Sequence, residues 1–162
     1  MPINVTQVFE RCHEHLATPH SRRSKKVISP IRPDESVSIP QATVRDLDAA
    51  AHRVRAAQQD WAKRPVKERA QFAKRLHSLV LERQDEILDV IQWETGKSRR
   101  SAFDEVADVA MTALYYGTKG PRQLAPERRQ GALPLLTTTR VHYQPRGLVS
   151  MISPWNYPFT LP

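Results

Sequence analysis

Apolar side chains in the middle of the chain recur at steps of three and four residues, the spacing of one face of an α-helix. Thr43 and Asp46 have the spacing of a capping box and mark the start of the first helix. Pro65 predicts the start of the second helix. Gly96 and Gly117 predict the ends of the third and fourth helices. The pattern predicts four helices whose apolar faces form a core. The predicted core positions are Val44, Leu47, Ala51, Val54 and Trp61, then Phe72, Ala73, Leu76, Leu79 and Val80, then Ile87, Leu88 and Ile91, and last Phe103, Val106, Ala110 and Leu114.

Short β segments lie on both sides of these helices. Residues 27–30 and 36–40 flank a polar turn, which predicts a hairpin. Residues 137–143 carry threonine, valine and tyrosine and predict a strand, whose free edge could pair with another chain. Residues 118–134 contain prolines and glycine and predict a loop between the helices and this strand.

The last apolar run, residues 148–152, predicts a strand buried on both faces in a parallel sheet. Ligands of open α/β sheets bind just beyond the carboxyl ends of such strands. That position is occupied here by Pro-Trp-Asn-Tyr-Pro at 154–158, where two prolines with fixed φ stiffen the backbone. The sequence therefore predicts an α/β fold with a preorganised site directly after this strand.

Composition narrows the class of protein. The chain has 162 residues, of which 40% are hydrophobic, enough for a packed core. Cys12 is the single cysteine, so no intramolecular disulfide can form, and no apolar stretch has the length of a membrane span or the form of a signal peptide. These features predict a cytoplasmic protein with no membrane partner. The net charge of +8 suits a polyanion partner and a basic part of a larger protein equally well.

The terminal motif has a recognisable counterpart. Positions 152–158, Ile-Ser-Pro-Trp-Asn-Tyr-Pro, resemble the Pro-Trp-Asn-Phe-Pro segment of the NAD(P)-dependent aldehyde dehydrogenase superfamily, with Tyr157 in place of Phe. The similarity extends upstream to Trp-Glu-Thr-Gly-Lys at 93–97 and to the helix around 48–62. It covers roughly residues 27–162, and the general pattern is similar to the succinate-semialdehyde dehydrogenase branch.

The resemblance implies the fold and the division of the chain. We expect the amino-terminal part of an aldehyde-dehydrogenase-like α/β fold, rich in helices, with a short hairpin, an assembly-arm strand and the first buried strand of the parallel nucleotide-binding sheet. Residues 1–26 precede the region of resemblance, and their basic run with few large apolar side chains predicts a flexible arm with at most one loose helical turn. Residues 27–162 are expected to form an incomplete amino-terminal cofactor-binding domain, with part of the assembly arm at about 135–145. An assembly arm implies a homo-oligomer when the enzyme is complete.

The resemblance also implies the chemistry, which is oxidation of a small aldehyde, with succinate semialdehyde as the candidate, to its carboxylic acid with NAD or NADP. In the family a cysteine thiolate attacks the carbonyl and hydride passes to the nicotinamide. Asn156 is the expected catalytic donor to the alkoxide, and no metal is expected. The family's nucleophile, general base and phosphate loop lie downstream of this motif, so the 162-residue chain alone is expected to be inactive. The expected cofactor-binding residues are Ile152, Ser153, Pro154, Trp155 and Asn156.

Structural alternatives stay open for two of these residues. An asparagine between prolines can simply satisfy backbone groups in a turn, which would give Asn156 no chemical role. A tryptophan can simply fill a core, which would give Trp155 no contact with a cofactor. The position of each side chain in the fold distinguishes these cases.

Two other hypotheses concern the whole chain. A non-catalytic basic helical module could bind nucleic acid or an acidic partner, although its basic residues are spread over several helices without interleaved aromatic residues. A poorly folding remnant of an enzyme would expose its apolar tail, Phe159 and Leu161, and aggregate. The basic residues of the first hypothesis are Arg22, Arg23, Lys25, Lys26, Arg99 and Arg100.

Overall fold

The computed structural model describes residues 4–13, 15–18, 20, 23–133 and 136–162. The described chain is a helix-rich α/β arrangement in which helices are flanked by two antiparallel hairpins. None of its described helices is both long and apolar enough to cross a membrane. In chain order the elements are α1 (Val5–His13), β1 (Ser24–Ile28), β2 (Ser36–Pro40), α2 (Val44–Lys63), α3 (Val66–Glu82), α4 (Gln84–Thr95), α5 (Arg99–Gln123), β3 (Glu127–Gln130) and β4 (Thr138–Val141).

The main core lies where α3, α4 and α5 pack together. Fully burying one valine, leucine or isoleucine side chain here contributes about 1.5–3 kcal/mol. Helix α5 supplies three small or β-branched residues at steps of four, which form one face. The cluster comprises Val80 of α3, Leu88 and Ile91 of α4, and Ala102, Val106 and Ala110 of α5.

Gly117 serves packing and does not end a helix, so that part of the sequence prediction was wrong. Helix α5 continues to Gln123, through Pro121. A Cβ atom on Gly117 would lie only 2.7 Å from the Cγ atom of Lys74 and 3.0 Å from its backbone nitrogen. Glycine at this position therefore allows α5 to approach α3 closely.

A second core cluster joins the first hairpin to α4. Strands β1 and β2 pair antiparallel, with Val27 opposite Val37, which confirms the predicted hairpin. Val37 is buried against Trp93 of α4. The Trp93 indole N–H donates to the Glu35 carboxylate at 2.7 Å, and the Ser29 hydroxyl donates to the Trp93 carbonyl oxygen at 2.6 Å. Aromatic burial, one buried hydrogen bond and one partly buried hydrogen bond thus fix the hairpin on the helical layer.

The described amino-terminal residues contain a longer helix than the sequence predicted. Helix α1 spans nine residues where at most one loose turn was expected, and Val5 is buried with Val37 and Trp93. The Phe9 ring lies 5.6 Å from the Trp93 ring, centroid to centroid. The basic segment also enters β1, which begins at Ser24. The apolar pattern of α1 covers few residues, and its burial depends on contacts with both the hairpin and α4.

Several predicted core positions are exposed, and for them the prediction was wrong. The apolar face of α2 is open to solvent, with Val44 75% exposed. Helix α2 meets α3 at its end, where the Trp61 ring packs edge-on against the Phe72 ring at 4.8 Å between centroids. Periodicity shows that a helix has an apolar face but not what covers that face. The exposed members are Val44, Leu47, Val54, Trp61, Phe72, Leu76, Leu79, Phe103 and Leu114.

The first turn of α2 is closed by the predicted capping box. The Asp46 carboxylate accepts hydrogen bonds from the Thr43 hydroxyl at 2.7 Å, from the Thr43 backbone N–H at 2.9 Å and from the His20 backbone N–H at 2.9 Å. The Asp46 backbone N–H in turn donates to the Thr43 hydroxyl oxygen at 3.2 Å. Burial raises the pKa of Asp46, but these hydrogen bonds outweigh it and lower the pKa from 3.8 to about 2.

Acid is expected to remove the stability that Asp46 provides. Because its folded-state pKa lies below its ordinary value, the contribution is complete above pH 3.8 and is lost as the pH falls towards about 2. We expect Asp46→Asn to flatten the fall in thermal unfolding midpoint between these two pH values. Asp48→Asn, an exposed aspartate of the same helix, is the matched control and should leave the slope unchanged. Equal slopes for the two variants would contradict the assignment.

The strands of the carboxyl-terminal region differ in part from the prediction. Strand β4 lies within the predicted strand at 137–143, and its partner β3 lies in the stretch predicted as a loop. Residues 142–162, all of them described, contain no strand, and residues 148–152 are largely exposed. The predicted buried strand is therefore not formed within the described chain. A strand requires hydrogen-bonding neighbours, and none of the described residues supplies them.

Candidate functional site

The segment after residue 152 folds into a short turn beside α5. The Ser153 hydroxyl donates to the Pro158 carbonyl oxygen at 2.9 Å, which closes the turn across the two prolines. The Leu161 backbone N–H donates to the Tyr157 carbonyl oxygen at 3.5 Å. The Phe159 side chain packs against the main core cluster. We call residues 153–161 the site loop. A core contact and internal hydrogen bonds hold this loop in one arrangement.

Glu105 of α5 is the buried anchor of the site loop. Its carboxylate accepts hydrogen bonds from the backbone N–H groups of Phe159 at 3.1 Å and Thr160 at 3.4 Å. The Thr160 hydroxyl donates to the Glu105 carbonyl oxygen at 3.3 Å. The Glu105 side chain is 0% exposed. A carboxylate so deeply buried is tolerated only when it is paired with a cation and hydrogen-bonded. The loop backbone supplies two of these hydrogen bonds.

Lys97 supplies the opposite charge. Its ammonium group forms an ion pair with the Glu105 carboxylate and donates a hydrogen bond to the Asn156 carbonyl oxygen at 2.7 Å. The same nitrogen lies 4.6 Å from the centroid of the Tyr157 ring, within the range of a cation–π contact. The Lys97 side chain is 17% exposed. One partly buried cation therefore contacts both α5 and the site loop.

The junction between α4 and α5 fixes Lys97 in position. Gly96 ends α4 with φ +74°, a left-handed conformation that favours glycine, and its N–H donates to the Gln92 carbonyl oxygen at 2.9 Å. A Cβ atom on Gly96 would lie 3.2 Å from the Pro30 Cγ atom, so the hairpin turn packs directly on this junction. Ser98 caps α5 by accepting a hydrogen bond from the Ser101 N–H at 3.2 Å. The junction therefore holds the backbone at Lys97 in place.

The residues predicted to form the site all lie on one exposed stretch. Ile152 is 95% exposed and Trp155 is 85% exposed, so Trp155 fills no core within the described chain. Asn156 is exposed as well. Within the part of the chain that the structure describes, the hydrogen bond of Asn156 uses its backbone carbonyl oxygen, and the side-chain amide is not used to satisfy the turn. Ser153 and Pro154 continue the same surface, with Pro154 half-buried.

Glu105 is the residue that the sequence analysis missed. It lies beside Val106 and three residues after Ala102, within the buried face of α5. An acidic residue inside an apolar helical stripe is a signal for a buried polar contact, since unpaired carboxylates are rarely buried. That signal was present in the sequence, although it does not say which residue would pair with Glu105.

An apolar cavity of about 380 Å³ lies next to the site loop. Pro158 and Phe159 form part of its wall, and Val80 and Ile91 of the main core contribute as well. Burial raises the pKa of Glu94, which also lines this cavity. The inner side of the site loop is therefore bordered by an apolar space that is also lined by Arg83, Glu86 and Glu94.

The basic residues of the alternative hypothesis do not form one free patch. Arg99 is paired with Asp85 at 2.7 Å and with Asp89 at 2.5 Å. These contacts raise the pKa of Arg99, first through the hydrogen bond to Asp89 and then through that to Asp85. Arg22 lies outside the described residues. Lys25 and Lys26 are exposed on β1, so the structure gives a nucleic-acid partner no support beyond ordinary surface charge.

Comparison with known proteins gives one consistent result. The sequence model of the Aldehyde dehydrogenase family matches residues 17–162. A Mycolicibacterium smegmatis protein, provisionally named as a succinate-semialdehyde dehydrogenase with NADP(+), is 43% identical over 141 residues, which cover 87% of this chain and 27% of that protein. The succinate-semialdehyde dehydrogenase with NADP(+) of Deinococcus radiodurans is 34% identical over 145 residues, which cover 88% of this chain and 29% of that protein.

A solved structure of another aldehyde dehydrogenase has a similar fold. The crystal structure of an NAD-dependent benzaldehyde dehydrogenase from Corynebacterium glutamicum superposes with a TM-score of 0.77 at 28% identity. The match covers 89% of this chain and 31% of that one. The chain thus spans less than a third of the length of these relatives.

Proposed function

The chain belongs to the aldehyde dehydrogenase family, and from this premise we propose that it supplies the amino-terminal part of an enzyme that oxidises an aldehyde to its carboxylic acid with NAD or NADP. The observation that carries the proposal is the site loop, in which Asn156 exposes its amide while its backbone is held by Lys97. A fixed backbone with a free amide is suited to donate a hydrogen bond to a reacting group. In this proposal Asn156 is the catalytic residue of the chain.

The role of Asn156 follows from where charge develops. Attack of a nucleophile on an aldehyde carbonyl converts the carbonyl oxygen to an alkoxide, which requires donors that are already in place. An amide N–H held between two prolines provides such a donor without reorganisation. The ion pair with Glu105 compensates the charge of Lys97, and both residues bind the loop that carries this donor.

The residues before Asn156 suit a cofactor. Ile152 and Trp155 expose apolar surface beside the loop, and exposed apolar side chains next to polar groups typify ligand sites. Together with Ser153 and Pro154 they would hold the ribose and nicotinamide side of NAD or NADP. The cofactor, when bound, accepts hydride from the substrate. The contribution of this chain is to bind and orient it beside Asn156.

Succinate semialdehyde is the proposed substrate, because two curated relatives carry that activity in their names. Those relatives are named for NADP(+), whereas the structural relative is NAD-dependent, so both cofactors belong in the test. We further propose a homo-oligomer that uses the β3–β4 hairpin as its assembly arm, and a cytoplasmic location, which agrees with a single, exposed cysteine.

A fusion tests the proposed function. Residues 1–162 would replace the amino-terminal part of the M. smegmatis relative, up to the end of the matched region, giving what we call the fused enzyme. We expect it to reduce NADP or NAD when succinate semialdehyde is added, measured by the absorbance of the reduced nicotinamide. Butyraldehyde, which has the same carbon chain without the carboxylate, tests whether the acid group is recognised.

The parent relative is the control for this experiment. A fused enzyme that elutes as one species on a sizing column yet oxidises no aldehyde, while the parent does, would overturn the proposal. A fused enzyme that prefers butyraldehyde would retain the family chemistry and reject succinate semialdehyde as substrate.

A further inference from the structure

Lys97 bridges two parts of the molecule that are distant in sequence. Its ammonium group contacts the Glu105 carboxylate on α5, the Asn156 carbonyl oxygen at 2.7 Å and the face of the Tyr157 ring at 4.6 Å. Glu105 completes the bridge by accepting the N–H groups of Phe159 and Thr160. Both ends of the segment 156–160 are thereby held by one ion pair.

We propose that Lys97 and Glu105 are positioning residues that set the direction of the Asn156 amide, an inference that rests on the proposed function of Asn156. The hydrogen bond from Lys97 holds the backbone carbonyl of Asn156 itself and so restrains the backbone from which the side chain extends. Neither residue touches the reacting atoms in this proposal. They act only through the geometry of the site loop.

The properties of the pair suit this role. An ammonium group has three donors and no acceptor, so it can bond to the carboxylate and to a backbone carbonyl at the same time. Charge-assisted hydrogen bonds are shorter and stronger than neutral ones, particularly where water is excluded. Lys97 is 17% exposed and Glu105 is 0% exposed, so solvent competes little for the bond between them. The bond from Lys97 to the Asn156 carbonyl oxygen is exposed, and it gains from the charge of the donor alone. A displacement of about 1 Å in a catalytic group can cost about a hundred-fold in rate.

A plain structural role would have different consequences. If the ion pair only stabilised the fold, its loss would lower the amount of folded protein without changing turnover per folded molecule. If it positions Asn156, its loss should lower kcat in protein that remains folded. The decisive observation is whether the loss depends on the presence of the Asn156 amide.

The test is a double-mutant cycle in the fused enzyme. Lys97→Met keeps the length of the side chain and removes its charge, and we expect kcat to fall about ten- to a hundred-fold, with a smaller change in KM for the cofactor. Lys97→Arg keeps a cation and should recover part of the loss. In an Asn156→Ala background, Lys97→Met should cost little further, because the group that it positions is already gone.

Lys63→Met is the matched control, since Lys63 also pairs with an acidic residue, Asp60 at 3.1 Å, but at an exposed site on α2. It should leave kcat unchanged. The inference is overturned if Lys97→Met lowers kcat equally in both backgrounds, or does not lower it at all. If Lys97→Met does not fold, the cycle is run with Lys97→Arg and is judged by the same criterion. Full activity of the Asn156→Ala enzyme would instead refute the proposed function.

Discussion

Replacement of Asn156 by alanine should lower kcat of the fused enzyme by about a hundred- to a thousand-fold, the usual effect of losing one oxyanion donor. The loss should appear in kcat and kcat/KM alike, because the amide bonds the alkoxide far more strongly than the substrate carbonyl. Cofactor affinity, measured by titration of the reduced nicotinamide fluorescence, should change much less. The variant should also unfold at the wild-type temperature, since the side chain is exposed.

The chain offers a natural control, because its other asparagine is Asn4. The Asn4 side chain accepts the Gln7 N–H at 3.4 Å near the start of α1, far along the sequence from the site loop. Asn4→Ala should weaken that helix end and leave turnover intact. Wild-type kcat in the Asn156→Ala enzyme would remove the amide from the mechanism.

Local signals in the sequence were sufficient where neighbours in sequence decide the structure. The hairpin at β1 and β2, the capping box of Thr43 and Asp46, and the left-handed end of α4 at Gly96 each depend on a few adjacent residues. Turn chemistry, side-chain reach and positive φ are properties of single residues or short segments. These features were therefore predictable without knowledge of the fold.

Features that depend on distant contacts were not predictable in the same way. The apolar spacing of α2 predicted the helix correctly but predicted wrongly that its apolar face is buried. Burial depends on which element packs against that face, and the spacing does not show this. Residues 148–152 have the composition of a buried strand, yet no described strand lies beside them. Gly117 was predicted to end a helix because glycine is common at helix ends. In the structure its missing side chain leaves room for Lys74 of α3.

The site shows both cases at once. The motif from Ile152 to Pro158 was recognisable because its residue types are unusual in sequence, and Asn156 was named from it. The contacts that hold it come from Lys97 and Glu105, which are 59 and 51 residues away along the chain. Lys97 lies in the Trp-Glu-Thr-Gly-Lys motif, but the sequence indicated no role for it. Its contact with the site loop became visible only in the folded structure. A site residue can thus be found from sequence while its support cannot.

Removal of Glu105 should strongly destabilise the folded chain. Glu105→Ala leaves the ammonium group of Lys97 partly buried without its counter-ion and deprives the N–H groups of Phe159 and Thr160 of their acceptor. Breaking one side of a buried ion pair typically costs about 3–5 kcal/mol of unfolding free energy. Urea unfolding followed by far-ultraviolet circular dichroism should show this as a lower midpoint.

The neighbouring residue supplies the control, because Asp104 is exposed on the same turn of α5. Asp104→Ala should change the unfolding free energy by no more than about 0.5 kcal/mol. Glu105→Gln keeps an acceptor for the loop N–H groups and should lie between the two. The double replacement Lys97→Met with Glu105→Leu removes both charges and should recover stability relative to Glu105→Ala, since the cost arises from the unpaired charge. Equal unfolding midpoints for Glu105→Ala and Asp104→Ala would mean that the ion pair does not hold the site loop on α5.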